Sequence, residues 1–416
     1  MKVEQSEGQT VPKDWERERG VACLAAELNG LMDVDLLLKK MLEKARQVVG
    51  AEAGTVYTLQ KGRLVFSASQ NAYLERLIPE TAELPFTGFN LEIDQTTLAG
   101  FVAVSRQILI VNDTGDIDPD APFQHFKKID ATNNYACKAV ITLPLATKNN
   151  DLLGVLQVIN PLDPAGRVAS FSKVDERLLS FFALNAAMAL EKAVTLRDSV
   201  LNTVRLVELH DYTESVAHVQ RVAHLSTAIY QNWSQRHRVP QPEREHILNF
   251  LPVAALVHDV GKVWVPLHIL NKPARLDKQE RAVMEAHVKA GARLYAGKHT
   301  PLDRLAYSLV SDHHERWDGL GYPGFLDAKL VEPVHGHTRG KKGEEISIYG
   351  RILAAADVFD ALSSRKSYKE AVDEDLAVQI MEQESGHHFD PAVIESFLAV
   401  RPVLRKIRER FPERTG

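Results

Sequence analysis

Apolar residues recur at helical spacing over 14–49, as Val21, Leu24, Ala25 and Leu28 and then as Leu36, Leu37, Met41 and Leu42, which predicts two helices. Two short alternating runs, 54–59 and 63–68, flank Lys61-Gly62 and predict a hairpin. A strand at 107–111 stops at Asn112-Asp113-Thr114-Gly115, and 139–145 with 152–159 predict a second hairpin across 148–151. An amphipathic helix starting near Ser172 closes this half, which reads as an antiparallel sheet with packed helices, α+β in class. That helix runs on through Glu208 without Gly or Pro. Leu190, Val194, Leu201 and Val204 recur along it at coiled-coil spacing, interrupted by Arg197, so a connecting helix that supports a homodimer is expected. From Leu206 to Phe397 the periods are almost wholly helical, at 219–232, 245–259, 278–296, 302–314, 350–363 and 373–383, and predict an all-α bundle.

Composition narrows the class. The 416 residues are 45% hydrophobic and 25% charged, which excludes a disordered, collagenous or disulfide-scaffold chain and leaves room for two or three domains. The 50 basic and 55 acidic residues give a net charge of −5, against the basic excess that a nucleic-acid polymer would require. Cys23 and Cys137 are the only cysteines, as fits a reducing cytoplasm. The N-terminus lacks the apolar stretch of a signal peptide, and no run of about 18 apolar residues is seen. A cytoplasmic protein with no membrane segment is expected.

Histidine divides the chain. Of 16 histidines, only His125 precedes residue 209. Glu214 and His218 stand four apart, a spacing that shares a helix face. The apolar run 253–257 leads directly into His258-Asp259, followed by Gly261-Lys262. His287, then His313-His314, then Asp357 at the end of the apolar run 352–356, complete the series. Each alone reads as a hydrogen-bonded core residue. So many imidazoles and carboxylates beside buried helix are costly to bury together without a metal. With no cysteine in this half, the donor set suits Fe or Mn, with Zn or Ni as further candidates, rather than structural zinc. Eight candidates exceed the needs of one ion, so a di- or trinuclear centre is expected, able to clamp a phosphate and lower the pKa of a bridging water.

Two resemblances follow from motifs. Over 20–190, Leu98-Ala-Gly-Phe-Val-Ala103, Ile108-Leu-Ile-Val-Asn-Asp113 and Leu153-Gly-Val-Leu-Gln-Val-Ile-Asn160 resemble a GAF domain. Asn160, Phe171, Asp175 and Glu176 match that family's cyclic-nucleotide signature, but Pro161 replaces its lysine, and they read as fold residues. His125 and Cys137 read as structural rather than as cofactor ligands. Over about 205–400, His258-Asp259-x-Gly261-Lys262 with His313-His-Glu-Arg-Trp-Asp-Gly-x-Gly-Tyr-Pro323 resembles the HD-GYP family of cyclic di-GMP phosphodiesterases.

The second resemblance implies metal ligation by His218, His258, Asp259, His287, His313, His314 and Asp357, with Glu214 at the place of the trinuclear branch. It implies hydrolysis of cyclic di-GMP to pGpG, with a second cut to GMP expected where a third metal sits on Glu214, and it places Asp259 and Lys262 in the catalytic machinery with Lys262 at the phosphate. It gives the loop around Tyr322 to substrate contact and to partners such as GGDEF-type signalling proteins. Ala217 and Leu320 depart from the family pattern, and Lys366-Ser367-Tyr368-Lys369 stands where Arg-Pro-Tyr-Lys is usual, with Arg365 one place earlier. Arg365, Lys366 and Lys369 are the expected substrate contacts. The stretch 326–342, with His335 and His337, is longer than usual and reads as a lid or disordered insertion. The expected organisation is a tail at 1–19, a GAF sensor and dimerisation domain at 20–190, a connecting helix at 191–209, a phosphodiesterase domain at 210–400 and a tail at 401–416. Two alternatives stay open: hydrolysis of another cyclic dinucleotide such as cyclic GMP-AMP, and a non-catalytic cyclic-dinucleotide-binding module.

Overall fold

Asp33 caps the second helix through Leu36 N, and Gly50 ends it in the left-handed region, so the chain turns directly into its first strand. This computed structural model describes residues 13–76, 90–125, 135–211, 215–327, 339–364 and 372–413. It separates into two units, Met1–Thr195 and Leu196–Gly416.

The first unit contains α1 (Lys13–Leu28), α2 (Val34–Val49), β1 (Ala51–Gln60), β2 (Arg63–Asn71), α3 (Ala72–Glu75), β3 (Asn90–Glu92), α4 (Leu98–Ser105), β4 (Leu109–Val111), β5 (Val140–Ala146) and β6 (Leu152–Pro161). The strands form one antiparallel sheet in the order β3-β2-β1-β6-β5-β4. Both expected hairpins are present, as β1–β2 and β5–β6. Leu37, Leu38, Met41 and Leu42 of α2 share a core with Ile141, Leu143 and Leu145 of β5 and with Phe182 and Ala186 of α5 (Lys173–His210).

Three residues of the expected signature serve the fold. Asn160 is buried with φ of 52°, a conformation asparagine tolerates better than most residues. Its Oδ1 accepts from Lys138 N and Ala139 N at 2.9 and 3.1 Å, and its Nδ2 donates to Tyr135 OH and the Ala136 carbonyl, both at 2.9 Å. Phe171 lies in the core. Asp175 and Ser172 cap the start of α5 reciprocally.

α5 crosses the division between the units as one 38-residue helix. Leu190, Leu201 and Val204 are buried in the single chain, so the stripe expected to face a partner is turned inward. Periodicity alone cannot distinguish a partner from the chain's own core. Lys173–His210 and Gln241–Trp264 have the length and hydropathy of membrane spans, but 50% and 72% of their most apolar windows are buried within the molecule, as befits core helices.

The second unit is helical, with α6 (Val216–Arg236), α7 (Gln241–Ala255), α8 (Leu267–Leu270), α9 (Lys278–Tyr295), α10 (Pro301–Asp312), α11 (Ile348–Ser363), α12 (Glu374–Gln383), α13 (Pro391–Ala399) and α14 (Arg401–Arg410). The helix expected to reach residue 259 stops at Ala255. Bonds from Val257 N to Ala254 O and from His258 N to Ala255 O tighten the chain towards a short 3-10 helix, Val260–Trp264. His258 and Asp259 therefore occupy a turn. α10 likewise ends at Asp312, before His313 and His314. The stretch 401–410, expected to be tail, is helical and buries Leu404.

Replacing Asn160 by Ala would strand the backbone N–H groups of Lys138 and Ala139. A loss of about 2–4 kcal/mol is expected, read as a lower melting temperature of the first unit. Unchanged stability would refute the structural role.

Candidate metal centre

The site is assembled by the turn after α7, the middle of α9, the turn after α10, the first turn of α6 and the middle of α11. Glycine allows the closest of these approaches. A Cβ on Gly261 would lie 1.9 Å from the His287 carbonyl oxygen and 2.6 Å from Gly291 N, so only glycine lets the His258-Asp259 turn rest on α9.

The imidazoles are aimed by their second nitrogens. Nδ1 of His258 donates to Ala255 O at 2.9 Å, that of His287 to Met284 O at 2.7 Å, and that of His313 to Val310 O at 3.0 Å. A carbonyl only accepts, so each Nδ1 carries a proton, and in the neutral ring each Nε2 presents a lone pair. In His218, Nδ1 donates to Asp360 Oδ2 at 2.7 Å, while Nε2 faces Asp357 Oδ1 at 3.2 Å. Asp360 is held by Arg221 Nε and Nη2 at 2.6 and 2.8 Å.

Two donor groups result, Asp259 with His287, His313 and His314, and His218 with His258 and Asp357. Within each, all donor atoms lie within 4.8 Å of one another. Asp259 joins them: its Oδ1 is 3.1 and 3.4 Å from Nε2 of His287 and His313, and its Oδ2 is 3.4 Å from His258 Nε2. Lys262 Nζ lies 2.8 Å from the same Oδ2. Asp259 Oδ1, His287 Nε2 and His313 Nε2 are buried without a hydrogen-bond partner among the described residues. Lone pairs facing a carboxylate oxygen at these distances repel, and a cation among them satisfies all three. The donor set fits a divalent metal centre.

The electrostatics agree. Burial would raise the carboxyl of Asp259, but Lys262 and His258 outweigh it and hold the group well below the usual carboxylate range. Burial likewise opposes ionisation of Asp357, and the hydrogen bond with His218 overrides it. His314 is pushed well below the usual imidazole value by burial and then by His313 and His287. Charged carboxylates at Asp259 and Asp357 and a deprotonated ring at His314 are protonation states that ligation needs.

Tyr322 stacks on His314, with ring centres 4.8 Å apart. Its loop is folded on Glu315, whose Oε1 accepts from Gly324 N at 2.5 Å and whose Oε2 accepts from Lys341 N at 2.9 Å. Burial raises Glu315 to about 7 despite these bonds. Seven of the expected ligands are thus brought together. Glu214, Arg365, Lys366 and Lys369, and His335 and His337 of the expected insertion, lie outside the described residues. Asp360 and Arg221 were missed, although Asp360 lies three residues after Asp357 and so on the same helix face.

Asp360→Asn removes the charge that orients His218. A 10–100-fold loss of divalent-metal affinity, as is typical for such outer partners, is the expected result of Mn²⁺ titration into metal-stripped protein. Equal affinity would show that His218 needs no such partner.

Residues 33–190 match the GAF domain, and 215–362 and 335–393 match HD domains, which imply a divalent metal centre. The chain is 35% identical over 251 residues to the 3′3′-cGAMP-specific phosphodiesterase 2 of Vibrio cholerae, covering 58% of this chain and 43% of that protein. It is 34% identical over 270 residues to a cyclic di-GMP phosphodiesterase of the same organism, covering 62% and 50%. A cyclic di-GMP phosphodiesterase of Thermotoga maritima is 32% identical over 211 residues, covering 51% of each chain. The chain thus spans about half the length of the curated relatives it matches. With the sheet of the first unit and the His/Asp cluster of the second, these matches establish a GAF domain followed by a helical HD domain.

Proposed function

We propose that this chain is a metal-dependent phosphodiesterase that cleaves the 3′–5′ bonds of cyclic di-GMP, giving pGpG, and GMP where Glu214 holds a third ion. The observation that carries the reading is Asp259, whose two oxygens face imidazoles of both donor groups and whose Oδ2 is paired with Lys262. Divalent cations in such a pair of sites polarise a phosphoryl oxygen and lower the pKa of water. His218, His258, Asp259, His287, His313, His314 and Asp357 would hold them, with Glu214 serving a third. The mixed imidazole and carboxylate donors favour Fe or Mn. Lys262, a compact ammonium, would steady the phosphate and offset charge on the departing oxygen. Tyr322, beside His314, would line the substrate.

A second substrate is favoured by Lys366-Ser367 and by the relative specific for 3′3′-cGAMP. The metal donors would meet only the phosphates that both dinucleotides share, so discrimination falls to side chains that read the purine edge. Lysine, with donors alone, lacks the bidentate fork of arginine for that task. Regulation would come from the GAF domain. His125 and Cys137 line a cavity there of about 120 Å³, together with Tyr57, Asn71, Thr97 and Tyr135, a place for a small effector. A homodimer through the GAF domain and α5 would use Phe181, Leu184 and Met188, which are exposed on that helix. GGDEF-type proteins would meet the Tyr322 loop. The site of action would be the cytoplasm.

Full-length protein purified anaerobically is expected to carry about two ions per chain, or three if Glu214 binds one, and to hydrolyse cyclic di-GMP to products separable by chromatography. Lys262→Ala should retain metal and lose about 100-fold in kcat, the scale of one transition-state donor. Turnover of cyclic GMP-AMP alone would select the second substrate. Full metal with neither dinucleotide cleaved would overturn the assignment.

A further inference from the structure

Asp211 follows the last residue of α5, and its side chain is wholly buried. Its Oδ2 lies 3.6 Å from Nζ of Lys262, so this lysine faces two buried carboxylates, Asp211 and Asp259. The loop that carries the lysine also fixes the position of Asp211. His210 Nε2 donates to the Val265 carbonyl at 2.8 Å, Asn271 Nδ2 donates to the His210 carbonyl at 3.5 Å, and Asp211 N closes the helix on Val207 O at 2.7 Å. The last turn of α5 and the stretch after the His258-Asp259 turn are therefore tied to each other by two hydrogen bonds besides the Asp211–Lys262 pair.

The two carboxylates differ in one respect. Among the described residues Asp259 lies in the converging donor set, and Asp211 does not. Divalent charge on Asp259 would draw its electron density away from Lys262 and repel the ammonium. Asp211, outside that set, would still face the lysine. We infer that Asp211 is the positioning residue that retains Lys262 at the reaction site once metal is bound. This deepens the proposed function and rests on its placing of Lys262 at the phosphate.

The test uses full-length protein, with Asp211→Asn, Lys262→Ala and the double variant. Asp211→Asn should keep the metal content and lose about tenfold in kcat, the effect of a charged partner withdrawn from one lysine. In the Lys262→Ala background it should add less than about twofold. A separate readout needs no turnover. Trace acetylation with isotopic acetic anhydride, followed by peptide mass spectrometry, compares Lys262 with Lys173, whose side chain is 91% exposed. In the native chain Mn²⁺ loading should leave Lys262 protected, whereas in Asp211→Asn loading should make it several-fold more reactive. Equal Lys262 reactivity in the two loaded proteins, an equal kcat loss with and without Lys262, or loss of an ion in Asp211→Asn would each overturn the inference. If the native protein cleaves no cyclic dinucleotide, the functional reading fails while the acetylation still decides the role of Asp211. Should Asp211→Asn be insoluble, Asp211→Glu takes its place, and insolubility of both would make Asp211 a folding residue and refute the proposal.

Discussion

The close approach of two glycines governs the geometry of the second unit. Gly261 rests on the backbone of α9 at His287 and Gly291, and a Cβ on Gly291 would in turn meet Val310 of α10 at 2.8 Å. One contact sets the distance between the His258-Asp259 turn and His287, and the other sets the distance between α9 and the helix that delivers His313 and His314. A methyl group at 261 would have to displace backbone rather than the end of a flexible side chain. The donors converge because three segments distant in sequence pack closer than side chains normally permit.

Convergence alone would not make a site, since imidazoles rotate. The backbone carbonyls at Ala255, Met284 and Val310 fix the tautomer and the ring plane together, at no expense in additional side chains. His218 is the exception. It sits in the first turn of α6, and its partner is the carboxylate of Asp360. Arg221 ties that carboxylate to the end of the chain, through the Phe411 carbonyl at 3.1 Å and the Glu413 carboxylate. Phe411 also stacks on His224. The segment after α14 thus braces one expected metal ligand, which gives 401–413 a structural reason that a solvated tail would lack.

Much of this was legible in the sequence. The β1–β2 and β5–β6 hairpins followed from alternation around turn residues, and the candidate ligands from polar groups beside apolar runs. What escaped has a common cause: the pattern records that a position is apolar or charged, and not what it faces. Leu190, Leu201 and Val204 repeat as a coiled-coil seam would, yet they are buried in their own chain. Asp360, Arg221 and Asp211 are ordinary charged residues until folding sets them beside His218 and Lys262. Asn160 matches a ligand signature, but its amide is committed to the backbone at 138 and 139. The placement of His258-Asp259 in a turn depended on hydrogen bonds shortening after Ala255, which propensity does not report.

Charge links the buried cluster to its chemistry. Among the described residues Asp259 and Asp357 are the anionic donors of the set, so divalent cations placed there would exceed its negative charge. The surplus is compensated from outside the protein or not at all, and a phosphodiester anion is a compensating ligand of suitable size and charge. The same surplus acts on Lys262. Its ammonium is drawn to Asp259 when that carboxylate is ionised and unshared, and is repelled from it when cations share the carboxylate. A lysine that works beside metal therefore needs a counter-charge outside the donor set, and the buried carboxylate at the end of α5 lies where that counter-charge is required.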